Sequence, residues 1–418
     1  MSVRLCRSTS YQFQQVPENK TNCTTTDGND KVKTCQDLFS AMSISDVFQR
    51  LPSSTQSVLK RSTVSFILIC GFLLLLYGGP PCLVIITLLA QIQCWKEVTV
   101  IALKQQAITG RHNTNYFFLC ALLYFWCDNL FIYYHPYVTT SILAQFVESY
   151  YKFICFCLYF VGVIWFVMNL QRKHYRKQFG LLAWTHVMAL VIVAPSCLIT
   201  KTIYQGMIWF IICVTTITSN DIMAYICGKL FGKTPLIAVS PKKTWEGFIG
   251  AGIFTIIISC AVSYSLLDKE YYICPVEYEE VKGEIVRVEH CVPDTIFQLS
   301  VYHFFEYPIE LYPIVVHTFW LSIFGSVIAP FGGFFASGFK RACNIKDFGA
   351  SIPGHGGVMD RFDCQLVMIV FLHVYISTFV SRPQDERNIT QKLFQRIMNM
   401  TTAQQVEMYY LLENNITV

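Results

Sequence analysis

From about residue 63 to residue 380 the chain alternates long apolar runs with short polar breaks, and most of the runs approach the ~20 residues a helix needs to cross a bilayer. Seven are clear: 116–133, 154–170, 181–198, 204–226, 248–267, 312–335 and 364–380. Ahead of them, 63–77 and 82–94 are each short for a span and are separated by Gly78-Gly79-Pro80-Pro81. Read as two short helices they make nine spans; read as one kinked helix they make eight. The pattern predicts an all-α polytopic integral membrane protein with about nine transmembrane helices. One membrane domain covers 58–381, between a polar segment, 1–57, whose composition suits disorder, and a tail, 382–418.

Composition agrees, since 53% of the residues are hydrophobic and only 14% charged. The lipid bilayer is therefore an expected partner. Net charge is a modest +5, and the Lys and Arg residues gather in loops beside apolar runs without forming a stripe, so nucleic acid is not an expected partner. Most of the 18 cysteines lie inside apolar runs and read as small core residues. Cys274 and Cys291 differ, because they share the long loop 267–311. The N-terminal segment has no basic-then-apolar-then-small order, so insertion is expected to start from an internal span.

Basic residues on short loops mark the cytosolic side. The loop from Gln171 to Lys177 is the strongest marker, and counting spans from it brings 229–243 and 337–363 to the same face. The loop 267–310, with ten acidic residues against three basic ones, falls on the other face. An oxidising compartment there would let Cys274 and Cys291 pair, although two free thiols are an equal alternative. The tail falls on that face too, where Asn388, Asn399 and Asn415 head glycosylation triplets; helical spacing of Leu393, Phe394, Ile397 and Met398 allows an amphipathic surface helix instead. With nine spans the N-terminus is cytosolic, while the triplet at Asn22 argues the opposite.

Polar chemistry is confined to the two basic segments and the span ends that join them. In the segment 337–363, Ser337, Lys340 and Arg341 are followed by Lys346-Asp347, by Pro353-Gly354-His355-Gly356-Gly357 and by Asp360-Arg361-Phe362-Asp363. Asp360 and Asp363 are three apart at the start of the last span, so on a helix both project from one face, as two oxygen ligands of a hard cation would. Gly356 and Gly357 let backbone N–H groups approach an anion, and the Lys and Arg residues supply countercharge for phosphates. Protonation, a phosphate hydrogen bond and shaping of the Gly-rich turn are all open to His355. The earlier segment runs from Asn220-Asp221 through Gly228-Lys229 to Ser240-Pro241-Lys242-Lys243-Thr244-Trp245-Glu246-Gly247. Gly228 to Thr234 imitates a P-loop, but only three residues separate its glycines where that loop needs four, and a membrane helix precedes it. Asp128 and Asp221 are carboxylates within apolar spans; Asp221 adjoins the basic segment, whereas Asp128 reads as a hydrogen-bonded polar residue between helices.

The ordered succession from Ser337 to Asp363 resembles the signature of the phosphatidate cytidylyltransferases, or CDP-diacylglycerol synthases. The succession from Asn220 to Gly247 resembles the eukaryotic members of that family. Outside these segments, between about 60 and 380, the resemblance is one of hydropathy. It implies CTP and phosphatidic acid as substrates, CDP-diacylglycerol and pyrophosphate as products, and Mg2+ as the cofactor. It further implies supply of phosphatidylinositol, phosphatidylglycerol and cardiolipin synthesis. On that reading Asp347, Asp360 and Asp363, with Asp221, hold magnesium, while Lys346, Arg361 and His355 complete the catalytic set. Ser337, Lys340, Arg341, Ser240, Lys242, Lys243, Gly356 and Gly357 bind the substrates. The expected membrane is the endoplasmic reticulum, with the site facing the cytosol, because no transit peptide is visible. Oligomeric state is left open, a homodimer included.

Overall fold

A computed structural model describes residues 53–106, 111–138, 142–276, 278–281, 284–287, 291, 293–304, 307–380, 397–398 and 400–415. Helices dominate: α1 (Ser53–Tyr77), α2 (Gly79–Gln106), α3 (Arg111–Val138), α4 (Ile142–Met168), α5 (Tyr175–Gln205), α6 (Met207–Phe231), α7 (Trp245–Ser265) and the short α8 (Glu270–Ile273). After the long loop come α9 (Pro313–Val327), α10 (Pro330–Ala342), α11 (Met359–Tyr375), which ends in a π-turn over Ile376–Val380, and α12 (Thr402–Asn415). Among the described residues, seven helical stretches are long and apolar enough to cross a membrane, α9 and α10 counting together as one. Large side chains such as Phe66, Leu74, Phe153 and Ile164 are exposed, which in a lipid-facing helix has no hydrophobic cost.

The run before the seven clear spans is two helices. Gly79 has φ +78°, a conformation that suits glycine, and Pro80 and Pro81 occupy the first turn of α2, where their missing N–H groups cost nothing. The second helix is also far longer than the apolar run 82–94. It continues through Lys96 and Glu97 to Gln106 because Glu97 finds partners inside the protein. The run 312–335 likewise divides at Pro330 into α9 and α10, so Ser337, Lys340 and Arg341 stand on a helix and not on a loop.

Helices α6 and α7 pack most extensively, and glycines make that approach possible: a Cβ on Gly247 would stand 2.9 Å from the Ala224 carbonyl oxygen. The central core gathers Ile203, Met207, Ile212, Leu321, Met368 and Leu372, all buried. A second apolar cluster, with Trp95, Val98, Ile192, Phe348 and Met359, lies against the start of α11. Stacking of Trp95 on Phe118 and of Trp184 on Phe339 belongs to the same region.

The chain is not wholly α-helical. The loop 267–311 contains two hairpins, β1 (Tyr278–Val281) with β2 (Glu284–Arg287), and β3 (Ser300–Phe304) with β4 (Tyr307–Leu311). Each hairpin pairs its own backbone N–H and C=O groups. Cys274 and Cys291 form a disulfide, with Cα atoms 5.8 Å apart. The polar segment 1–52, the triplets at Asn22, Asn388 and Asn399, the stretch 381–396 and the side chain of Asp128 lie outside the described residues, as does the end of the Asn415 triplet.

Candidate active site

The C-terminal ends of α2, α6 and α10 meet the N-terminal ends of α7 and α11, and both basic segments lie there. Asp360 stands in the first turn of α11 with its side chain 4% exposed, and its Oδ1 accepts from Lys340 Nζ at 2.7 Å. Its Oδ2 accepts the Phe348 and Gly357 N–H groups, each at 2.9 Å. The Gly357 N–H is thus spent inside the protein and not offered to an anion. Lys340 also lies 5.2 Å from the centre of the Phe348 ring. Asp363 lies one turn further along; its Oδ1 accepts the Cys364 N–H at 2.8 Å, and its Oδ2 lies toward Gly333. Asp221 of α6 and Lys340 are close enough to act electrostatically on the Asp363 carboxylate.

The connection from α10 to α11 turns at Asn344 (φ +54°), Gly354 (φ +79°) and Gly356 (φ +88°). Ile352 N donates to the Gly356 oxygen at 2.9 Å, closing the Gly-rich turn. Asp347 and Asp360 both flank Gly356: a Cβ there would stand 3.4 Å from the Asp347 carboxyl carbon and 3.1 Å from Asp360 Oδ2. Lys346 and Asp347 are exposed. His355 Nε2 pairs with the Ser65 hydroxyl of α1 at 3.2 Å, and Arg361 Nη2 donates to the His355 carbonyl oxygen at 3.0 Å. Arg341 and Ser337 ride the last turns of α10, exposed and half-buried respectively.

The earlier segment is tied by Glu246, whose carboxylate accepts the Lys233 and Thr234 N–H groups and the Thr234 hydroxyl at 2.8 Å. Thr244 caps α7 by accepting the Gly247 N–H at 3.3 Å. Ser240 turns the loop through its backbone, accepting the Lys243 N–H, and Lys242 is exposed. Lys243 Nζ stands 3.9 Å from Asp221 Oδ1. Gly228 to Phe231 is still helical, the last turn of α6, so no phosphate-cradling loop forms there.

The four carboxylates expected to share a metal are therefore divided: Asp363 and Asp221 on one side, Asp360 and Asp347 around Gly356. Among the described residues no group of three or more His, Cys, Asp or Glu side chains converges as a metal cage. Two hard carboxylates still suit magnesium, which keeps water and takes one or two carboxylates plus substrate phosphates. Beside Asp221 in the chain, Asn220 Oδ1 is buried with no hydrogen-bond partner, an unspent oxygen of the same hard kind.

Sequence reasoning passed over Glu97. It is 6% exposed on α2, and its carboxylate accepts from Ser351 and from the backbone at the start of α11. The one available signal was an acid inside an apolar helix, the same signal that singled out Asp128 and Asp221. Also unforeseen is a cavity of about 750 Å³ between α5, α10 and α11, walled by apolar residues such as Val191, Phe335, Ala336, Leu366 and Val370, with Asp363 on its lining.

The model of the cytidylyltransferase family matches residues 59–379, a stretch that contains every one of these groups. Phosphatidate cytidylyltransferase 1 of Rattus norvegicus is 40% identical over 369 residues, covering 85% of this chain and 78% of the rat protein. Phosphatidate cytidylyltransferase 2 of Bos taurus is 37% identical over 410 residues, 94% of this chain and 91% of the bovine protein. The phosphatidate cytidylyltransferase of Caenorhabditis elegans is 37% identical over 387 residues, 89% and 81% of the two chains. With two thirds and more of each relative covered and the matched stretch enclosing the whole site, this chain belongs to the cytidylyltransferase family.

Proposed function

We propose that this chain transfers CMP from CTP to phosphatidic acid, releasing pyrophosphate and forming CDP-diacylglycerol. The observation that carries the reading is the junction of a polar, acid-and-base-lined helix end with an apolar cavity at Asp363. A charged, water-soluble nucleotide and a lipid with a charged head need such a junction, because neither reactant then leaves its phase. The acyl chains of the lipid fit the apolar cavity, and its phosphate fits the polar rim.

An oxygen of the lipid phosphate attacks the α-phosphorus of CTP. The bond from that phosphorus to the oxygen bridging to the β-phosphate breaks, and its electrons leave with pyrophosphate. Both reactants are anions, so repulsion and charge on the leaving group are the obstacles, and cationic groups near the phosphates lower them. Magnesium, when bound, supplies positive charge at the attacking and leaving oxygens. Asp363 and Asp221 are the side chains that would hold it. Asp360 keeps Lys340 beside Asp363, and Asp347 stands across Gly356 from Asp360, at the Gly-rich turn. Lys346, Arg341 and Arg361 face the triphosphate, Lys242 and Lys243 the lipid phosphate or pyrophosphate, His355 lies in the turn, and Ser337 adds a hydroxyl for the substrate from α10. No protein nucleophile is required, since the lipid phosphate is already ionised.

The reading includes nine crossings of the endoplasmic reticulum membrane, with the site in the cytosol and the loop 267–311 in the lumen. A disulfide in that loop and basic residues at the site end support this orientation. The test is an assay of the purified protein with phosphatidic acid, magnesium and CTP labelled at either the α- or the γ-phosphate. Label from the α position in the lipid supports the reading; label from the γ position in the lipid makes the protein a lipid kinase, and none in the lipid makes it no phosphotransferase.

A further inference from the structure

Glu97 sits toward the C-terminal end of α2, and each of its two carboxylate oxygens is engaged by a part of the chain more than 250 residues away. Oε1 accepts the Ser351 hydroxyl at 2.6 Å and the Val358 N–H at 3.0 Å; Oε2 accepts the Met359 N–H at 3.0 Å. Those two N–H groups open α11, whose first residues have no side-chain cap of their own. Glu97 is thus a cap supplied from another helix, with its negative charge at the positive end of α11. Gln93, one turn earlier on α2, donates to the Ser351 hydroxyl at 2.7 Å, so one face of α2 holds the connection at two points.

The glycines on the other side are cut to this carboxylate. A Cβ on Gly349 would stand 2.7 Å from the Glu97 carboxyl carbon, and a Cβ on Gly357 would overlap Glu97 Oε2. The held stretch carries Lys346, Asp347 and His355 and leads directly into Asp360 and Asp363. A carboxylate serving only to bury itself would not need two glycines and a Gln–Ser relay to receive it.

We infer that Glu97 is a positioning residue for the transfer reaction: it locks the Gly-rich connection and the first turn of α11 in the register that presents their acids and bases to the nucleotide. This rests on the proposed function for its catalytic consequence, though not for the brace itself. Glu97 touches no reacting atom in this arrangement and acts through the backbone it holds.

The test uses the full-length protein in detergent and lipid mixed micelles, with Glu97→Gln as the main variant. Gln keeps the size of the side chain but replaces one accepting oxygen by a donor, which then faces a backbone N–H. Deuterium exchange of the amides in 348–359 is expected to quicken in Glu97→Gln while exchange in α6 and α9 is unchanged. KM for CTP is expected to rise roughly tenfold or more, about the effect of one lost charge-assisted hydrogen bond, with KM for phosphatidic acid within about twofold. Gly349→Ala alone should be as damaging, but in a Glu97→Ala background it should add little, because the three atoms nearest its new Cβ all belong to the removed part of Glu97. Unchanged exchange in 348–359 overturns the brace, and so do losses from Gly349→Ala and Glu97→Ala that simply multiply. Equal losses for both substrates that follow the amount of folded protein overturn the positioning role. If the wild-type protein makes no cytidine-linked lipid, it is the proposed function that fails, and the exchange measurement still decides on Glu97.

Discussion

The two basic segments at the site end are similar in composition and opposite in construction. In the earlier one, Glu246 ties the loop to residues 12 and 13 positions away, at an exposed surface. Its lysine, Lys243, makes only a 3.9 Å pair with Asp221, the two side chains being 43% and 59% exposed. In the later segment the tying carboxylates are Glu97 and Asp360, 6% and 4% exposed, and one of them comes from a helix early in the chain. Exposed ion pairs contribute ~0–1 kcal/mol, whereas breaking a buried one costs ~3–5 kcal/mol. The ion pair of the earlier segment can therefore open at little cost, and on the proposed function its lysine would be free to meet a phosphate, while the later segment is held in place by buried contacts. One acts as an adjustable arm and the other as a fixed frame, the preorganisation that electrostatic catalysis requires.

The hardest blow to that comparison strikes Asp363, the acid that faces both segments. Asp363→Asn is expected to lower turnover roughly a thousandfold or more, as loss of a group that acts on the transferring phosphates does, with the helices intact by circular dichroism. Chelation of magnesium should abolish turnover as completely and reversibly, since without a cation between them the Asp363 and Asp221 carboxylates repel the phosphates. Near-normal rates for Asp363→Asn at saturating magnesium would remove it from the metal site and end the division of roles drawn here.

Next in size is Lys340→Met, which strands the buried Asp360 carboxylate. It should destabilise the protein by ~3–5 kcal/mol, read as a lowered thermal midpoint, and Asp360→Asn added to it should restore part of that loss. Asp360→Asn alone also separates brace from ligand: as a brace it lowers kcat and leaves the magnesium concentration for half-maximal rate unchanged. A large rise in that concentration would return Asp360 to the metal. Lys243→Ala, on the adjustable arm, should shift stability by less than ~1 kcal/mol and act on substrate KM roughly tenfold or less. A stability loss as large as that of Lys340→Met would erase the distinction between the two segments.

How much of this was legible in the sequence depended on how far each interaction reaches along the chain. Apolar runs report lipid contact residue by residue, so six of the seven clear runs coincide with described helices long and apolar enough to cross; the seventh such helix runs from Gly79 to Lys104, where the apolar run looked short, and the run 116–133 is not among them. Residues 337–363 read as a site because their acids, bases and glycines are adjacent in sequence. Glu97 carried one local sign, an acid inside an apolar helix, but its role was illegible because its partners are 254 to 262 residues away and nothing local to α2 reports them. The same distance hid the use of Gly357, which looks like room for an anion and in fact makes room for a carboxylate of the protein. The division of α9 from α10 at Pro330 was local and visible, but the apolar composition continues across it. Hydropathy alone does not distinguish one helix from two in line.

The far end of the bundle supplies the smallest effect on turnover and a check on the contrast between frame and arm. There the loop 267–311 is held by a covalent bond, its own hairpins and backbone contacts such as Val276 N–H to the Tyr204 oxygen, and among the described residues no side chain of the site takes part. Cys274 and Cys291 are 17 residues apart, and closing a loop of about that size stabilises by ~3 kcal/mol through the unfolded chain. Replacing both cysteines by serine should therefore lower the thermal midpoint yet leave kcat and both KM values within about twofold, because the bond stabilises the folded chain without touching the frame. If turnover fell with the disulfide while the protein stayed folded, the register of α11 would depend on the opposite side of the membrane. The buried carboxylates would then not be sufficient to hold the site.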